Sequence, residues 1–394
     1  MKKLIAIAAS AIPLACSAAE VIVELAPGAD PQEVGASHGL ALLDVTNGGP
    51  FAMYLVPKGT NPEELELTLE ADPRVVWAEE NDDLSMPEHS GGGKATVIGA
   101  VGDPNQFYQL NAGFLSQVGW IPPASARALR PINVAVLDTG LSPRHPFLLR
   151  KVVAWSNFVE VGTPPYDLPR GHFTNGNAVP DEAAGHGTMV AGVIAQMAPH
   201  AGLIPVRVAD SDGVTSSWRI IEGLVFSVNA GADVINISLG SIERVTALSD
   251  VMDWVEVRDV VTVAAAGNNA QETDFFPATY SEVISVCAID HQDRKAVFSN
   301  WEGSVDMSAP GTGIRSYYWD GNMAVWSGTS FSSPMVAAGI AVGLEYARRN
   351  YTVDEIQDLL ESTGTNIDNL NPQYEDDIGV KLHIRRFVQA IRAG

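Results

Sequence analysis

Cysteine is almost missing from this chain of 394 residues, which carries two, Cys16 and Cys287. Two thiols cannot build a thiolate zinc centre, and no His-Glu-x-x-His stretch offers a histidine alternative. Basic residues are also scarce: 24 Lys and Arg stand against 47 Asp and Glu, a formal net charge of −23. Phosphate contact depends on cationic side chains, so neither nucleic acid nor an anionic membrane surface is an expected partner. Long apolar runs are lacking too, because nothing beyond the first residues approaches the roughly 18 that a membrane span requires. A second Asp-Thr-Gly or Asp-Ser-Gly is absent, and the chain is far larger than a half-size subunit, which argues against a paired-carboxylate protease.

What is present is an apolar chain, 46% hydrophobic with 36 Gly and 24 Pro, of a length that suits one large domain plus a small one. Residues 1–19 read as a signal peptide: Met1-Lys-Lys, an apolar stretch from Leu4 to Leu14, then small residues to Ala19. The protein is therefore expected to be secreted or periplasmic. Cleavage after Ala19 removes Cys16 and leaves Cys287 alone, without an intrachain disulfide. The rival reading is a lipid anchor on Cys16, for which Leu14-Ala15-Cys16 is suitable and Pro13 is not.

Residues 20–86 read as a small α+β unit. Val21 to Leu25, Leu40 to Val45, Phe51 to Val56 and Val75-Val76-Trp77 are strand-like. Helices start at Asp30-Pro31 and Asn61-Pro62, giving a β-α-β-β-α-β order of the ferredoxin-like kind. Residues 87–101, with Ser90-Gly-Gly-Gly93, have linker composition and suit a processing site. From 102 to 394 buried-type strands at Ile132 to Leu137, Leu203 to Val208, Val234 to Ile237 and Val260 to Ala264 alternate with helical stretches. Helices are expected from Thr188 to Met197, Ser217 to Asn229 and Ser330 to Arg349, so this part is an α/β domain with a parallel sheet.

Four segments carry chemistry. Asp138 ends a strand in Leu137-Asp138-Thr139-Gly140; His186 lies in Gly185-His186-Gly187; Ser330 follows Gly328-Thr329; and Asn268 closes Ala264-Ala-Ala-Gly267-Asn268. Individually these suit a turn cap, a surface histidine, a helix cap and a turn residue. Together, in the order Asp, His, Ser, they supply an orienting carboxylate, a general base and a nucleophile. Gly185 and Gly187 are expected to bring the backbone close to a substrate cleft, and Val190, Val193, Ile194 and Met197 to bury one face of the following helix.

These segments resemble subtilisin-type serine proteases. The resemblance covers nearly the whole exported chain, since residues 20–86 are similar to that family's propeptide, an intramolecular chaperone and inhibitor. It implies a three-layer α/β domain over 102–394, a triad of Asp138, His186 and Ser330, and an oxyanion donor in Asn268 beside the backbone N–H of Ser330. It also implies two substrate-binding edges. Ser238, Leu239 and Gly240 form one wall of the primary specificity pocket, Ala266 and Gly267 the other, and Gly213 with Val214 supplies a second edge. Polypeptides are the implied substrates and the chain's own propeptide an inhibitor, with a monomer and no catalytic metal or cofactor.

Departures from the family pattern are visible. The chain runs from Ala195 through Gln196-Met-Ala-Pro199 without the Asn-rich insertion that forms a tight calcium site in many relatives, so that site is not expected, although structural calcium elsewhere stays open. Ser327 replaces a frequent Asn, and Phe275-Phe276-Pro277 is expected to narrow the base of the specificity pocket. Two alternatives stand beside a broad endopeptidase: a narrow-specificity or lipid-anchored maturation protease, and a silent binding protein of the same fold.

Overall fold

In the computed structural model the described residues are 19–87, 94–101, 105–122, 129–177 and 179–394. The signal-peptide reading, Cys16 and residues 88–93 of the linker lie outside them. Residues 19–45 and 50–81 form one compact unit, and 46–49 with 82–394 a second.

The first unit has four antiparallel strands, β1 (Glu20–Leu25), β2 (Ala41–Val45), β3 (Phe51–Leu55) and β4 (Val75–Glu80), in the order β2-β3-β1-β4. Its helices α1 (Pro31–His38) and α2 (Pro62–Glu70) begin where local chemistry demands. The Asp30 carboxylate accepts from the Gln32 N–H at 2.8 Å, and the Asn61 side chain from that of Glu63 at 3.1 Å. Every second residue of β1, Val21, Val23 and Leu25, packs with Val34, Leu65 and Leu69 to form the core.

The second unit opens with β5 (Asp83–Ser85), from the end of the expected small unit, and β6 (Thr96–Ala100), which the expected linker contributes. Short helices α3 (Gln106–Leu110), α4 (Ala112–Gln117) and α5 (Pro146–Leu149) accompany the start of the central sheet. That sheet comprises β7 (Asn133–Asp138), β8 (Ser156–Asn157), β9 (Gly202–Arg207), β11 (Val234–Ile237), β12 (Val261–Ala265), β13 (Val283–Ile289), β14 (Met307–Pro310) and β17 (Val380–Lys381). All eight pair in parallel, in the order β17-β14-β13-β12-β11-β7-β9-β8. Outside it, β10 (Val214–Ser216) pairs with β5, and β15 (Ile314–Tyr317) and β16 (Asn322–Trp326) pair with each other, β6 joining β16. Helices α6 (His186–Met197), α9 (Ser333–Glu345), α10 (Val353–Thr363) and α11 (Ile384–Ala393) pack together on one face; α7 (Ser217–Asn229) and α8 (Thr246–Glu256) cover the other. This is the three-layer α/β arrangement, with parallel strands buried as continuous apolar runs. Cys287 is fully buried within β13.

Three expectations change. α6 starts at His186, two residues earlier than the pattern suggested, and is buried on all sides rather than along one face. The helix expected from Ser330 to Arg349 is instead a 3₁₀ turn, Thr329–Phe331, followed by α9, which ends at Glu345. Pro334 lies in the first turn of α9, where a missing N–H is harmless. Ser330 therefore sits in the tighter turn before the helix and does not cap it.

Glu345 closes α9 at 3% exposure, and its Oε1 has no hydrogen-bond partner among the described residues. Burial raises its pKa from an ordinary 4.5 to about 7, against a smaller opposing pull from Lys151. A carboxyl group that keeps its proton longer when folded stabilises the protein below its unfolded pKa, and that contribution is lost as pH rises through the folded value. Glu345→Gln should accordingly lose less melting temperature than wild type between about pH 5 and pH 8. Parallel pH–melting curves for the two proteins would remove Glu345 as a source of the loss.

Candidate active site

The last residue of β7, Asp138, is wholly buried at the carboxyl end of the sheet. Its Oδ1 accepts from the backbone N–H of Thr139 at 2.7 Å and from the Thr139 hydroxyl at 3.3 Å. His186 Nδ1 lies 2.9 Å from Oδ1 and 3.0 Å from Oδ2. A carboxylate only accepts, so Nδ1 carries the proton, and in the neutral ring Nε2 is the basic nitrogen.

His186 is the first residue of α6, and that end is anchored by a residue no motif announced. Asp167, 1% exposed, accepts from the N–H groups of Gly185 at 2.7 Å and Thr188 at 3.0 Å, and from the Thr188 hydroxyl at 2.6 Å. These donors pull its pKa down, yet burial outweighs them and the net shift is upward. Thr139 reinforces the join, its hydroxyl accepting from Gly187 N–H at 2.9 Å. Both glycines sit where the backbone is closely packed. Gly185 adopts a φ of 94°, and a side chain on Gly187 would meet the Gly140 carbonyl at 2.5 Å and Asp138 Oδ1 at 3.0 Å. Trp326 and Phe331 close on the imidazole, with ring centroids at 5.4 and 5.3 Å.

Ser330 is buried, and its hydroxyl donates to the Ser238 carbonyl at 3.3 Å. Ser238 returns a bond from its own hydroxyl to the Ser330 carbonyl at 3.1 Å, fixing the 3₁₀ turn against the end of β11. Asn268, just beyond β12, accepts at Oδ1 from the N–H and hydroxyl of Thr329, both at 2.9 Å. With its oxygen committed there, the amide directs its NH₂ elsewhere. Thr329 also takes the Gly267 N–H at 3.2 Å. Asp167 and the threonines carry no sequence signal beyond Thr139 and Thr329 adjoining Asp138 and Ser330.

The predicted binding edges are extended and occupied within this unit. β5 runs antiparallel to β10, with Ser85 opposite Val214, and Met86 N–H donates to the Gly213 carbonyl at 3.1 Å. On its other side Ser85 exchanges both backbone bonds with Gly240, at 3.3 and 3.0 Å. A peptide strand thus lies between the Gly213 and Gly240 edges, a pairing that reads main chain rather than sequence. Leu239 is buried behind its edge, and Ala266 and Gly267 follow β12. Among the described residues one carboxylate group, Asp253, Glu256 and Glu282, has ligand atoms within 4.8 Å of one another, and none of the three belongs to this site.

Removing the Asp167 carboxylate strands two backbone donors and a hydroxyl in the interior. Asp167→Ala should lower unfolding free energy in urea by about 1–3 kcal/mol. Asp167→Asn, which keeps an acceptor, should lose less; equal stability of all three proteins would contradict the capping role.

Comparison with known proteins extends the geometry. Residues 130–379 match the Subtilase family. Over 247 residues the chain is 36% identical to the thermophilic serine proteinase of Bacillus sp. (strain AK1), a match covering 59% of this chain and 58% of that protein. It is 33% identical to thermitase of Thermoactinomyces vulgaris over 59% of this chain and 83% of that one. With subtilisin E of Bacillus subtilis (strain 168) it shares 34% identity over 60% of this chain and 61% of the relative. The chain therefore spans less than two thirds of the first and third of these relatives. Fervidolysin from Fervidobacterium pennivorans, a keratinolytic enzyme related to subtilisin, has the same fold at a TM-score of 0.73 and 21% identity, over 94% of this chain and 61% of that one. A match that runs from the strand bearing Asp138 past Ser330, and takes in more than half of the residues, makes this chain a member of the Subtilase family.

Proposed function

We propose that the chain is an exported, self-processing serine endopeptidase. The observation that carries this reading is the buried carboxylate of Asp138 on His186 Nδ1 at 2.9 Å, which prepares Nε2 as a base on the side of the ring away from Asp138. Ser330 Oγ attacks the substrate carbonyl carbon as its proton passes to Nε2, and Asp138 stabilises the imidazolium while remaining ionised. The resulting oxyanion accepts from the Asn268 amide and the Ser330 N–H. Collapse breaks the C–N bond, His186 gives its proton to the departing amine, and an acyl-enzyme remains. Water, deprotonated by His186, then hydrolyses the ester and restores Ser330. No metal or cofactor takes part in these steps.

Residues 20–86 act as a propeptide that assists folding and then inhibits, and removal occurs within 87–101. The support is the seat of β5 and Met86 along the Gly213 and Gly240 edges, where an extended substrate strand belongs. Working as a monomer, the processed enzyme takes extended or unfolded polypeptide.

Intact mass tests self-processing. Wild type should lose the segment up to the 87–101 linker while Ser330→Ala retains it; equal trimming of both would assign the cut to another protease. A fluorophosphonate probe should label wild type and not Ser330→Ala, and labelling of neither would leave a silent scaffold. Asn268→Ala should fold but turn over substrate about 100- to 1,000-fold more slowly, the range that the loss of one such donor causes in a subtilisin itself. Undiminished turnover would take Asn268 out of the oxyanion site.

A further inference from the structure

Thr329 holds the amide oxygen of Asn268, the oxyanion donor of the proposed reaction, and the main chain on either side must hold the rest. That main chain is not stiff by itself. Asn268 follows Gly267, whose φ of 97° lies where only glycine is at ease and whose missing Cβ leaves the backbone free to move. Two residues beyond Asn268, Ala270 adopts a φ of 56°, a left-handed conformation that a residue with a Cβ keeps only when its surroundings impose it. The shape of the 267–271 turn is therefore set from outside the turn.

The segment after β13 supplies the constraint. Asn300, 1% exposed, reaches the turn on both sides of Asn268: its N–H donates to the Gly267 carbonyl at 3.0 Å, and its Oδ1 accepts from the N–H groups of Asn269 at 2.8 Å and Gln271 at 3.4 Å. A Cβ built on Gly267 would collide with Asn300 Nδ2, so the amide lies flat against the glycine. Flanking main-chain bonds agree with it, Ala270 N–H donating to the Phe298 carbonyl at 2.8 Å and Trp301 N–H to the Gln271 carbonyl at 3.1 Å. Asn300 is itself held from behind. The Ser299 hydroxyl donates to the Asn300 carbonyl and accepts from Ala288 N–H in β13, both at 3.0 Å. Lys295 Nζ donates to the carbonyls of Ser299 at 2.7 Å and Ala296 at 3.1 Å, and lies 4.3 and 4.7 Å from the ring centroids of Trp301 and Tyr374. A buried ammonium answered by two carbonyls and two aromatic faces ties down the chain just before Asn300.

We infer that Asn300 is a positioning residue for the oxyanion donor: by bridging Gly267 to Asn269 it sets where the Asn268 amide points, and Lys295 secures the segment that delivers it. The inference rests on the endopeptidase reading above and deepens it, since both residues act through Asn268 rather than on the substrate. A donor that drifts loses its bond to the oxyanion while the bound substrate carbonyl is affected little, so the loss falls on kcat rather than on KM.

A double-mutant cycle tests it, run with one peptide substrate on proteins left until processing is complete. Asn300→Ala should lower kcat by about 10- to 100-fold and change KM by less than about twofold. In an Asn268→Ala background the same substitution should cost less than about twofold in kcat, because the donor it positions is gone. Lys295→Met, which keeps a long apolar chain without the ammonium, should show the same pattern with a smaller loss of about three- to tenfold. A residue that only stabilises the fold would give costs that multiply across the two backgrounds, and that result overturns the inference, as does an Asn300→Ala enzyme with wild-type kcat. If Asn300→Ala does not fold, Lys295→Met decides, and wild-type kcat there overturns the inference equally. These outcomes leave wild-type turnover and fluorophosphonate labelling intact and so overturn this inference alone. No turnover by wild type together with no labelling overturns the endopeptidase reading and this inference with it.

Discussion

An ionised carboxylate can be shut away from solvent only while its lone pairs are answered, and Asp138 has no exposure at all. Its donors are the adjacent backbone N–H, the adjacent hydroxyl and the imidazole of His186. Each answer constrains something else. The imidazole must carry its proton on Nδ1, which decides the tautomer. The loop after β7 must turn tightly enough for Gly187 to press against the Gly140 backbone, which leaves no room for a side chain at 187, while one at 140 would meet the Pro165 carbonyl at 2.3 Å. The hydroxyl that assists Asp138 also receives Gly187 N–H, so the strand end and the helix start are one hydrogen-bonded unit.

Sheet order explains how residues far apart in sequence reach that unit. β7, β11 and β12 are consecutive neighbours in a parallel sheet, roughly 4.8 Å apart, and all deliver their candidate site residues just at or beyond their carboxyl ends. Asp138 closes β7, Ser238 follows β11 and Asn268 follows β12. Ser330 arrives from the opposite direction, on the turn that precedes α9, and is tied to two of those three strand ends through Ser238 and through Thr329 with Asn268. The Ser330 turn is held by the same strand ends that carry the Gly240 and Gly267 backbones.

Much of this was legible in the sequence because it is written locally. Asp30 and Asn61 cap their helices through their own side chains, Ser217–Asn229 is bounded by a Ser cap with apolar periodicity between, and the buried strands announce themselves as unbroken apolar runs. Features made by tertiary contact were not. Asp167 sits among Pro164, Pro165 and Tyr166, where it looks like a loop acid, and only folding brings Gly185 and Thr188 to it. α6 has no polar face because helices and sheet surround it, so its start was hidden from a search for amphipathic periodicity. Ser330 reads as a cap because local chemistry cannot tell a capping serine from one lifted onto a 3₁₀ turn. Strands β6, β14, β15 and β16 are short and find their identity in partners rather than in pattern.

The placement of His186 depends on both ends of the helix that bears it. At the amino end Asp167 answers the orphan N–H groups. At the carboxyl end the carbonyls of Gln196 and Met197 accept from the Tyr108 hydroxyl and the Trp120 indole, each at 2.9 Å, and those two rings stack at 5.2 Å. This is the point where the chain continues directly to Pro199 without an inserted loop, so the helix end is satisfied by aromatic donors from α3 and from the residue at 120. Gln196 also bonds Tyr317 in β15, which pairs with β16, and β16 ends in the Trp326 ring that touches His186. The far end of the helix is thereby linked through one strand pair back to the imidazole at its start. General-base chemistry tolerates displacements of only about 0.5 Å. A single hydrogen bond to Asp138 could orient the ring but not hold its position; a buried helix secured at both ends does.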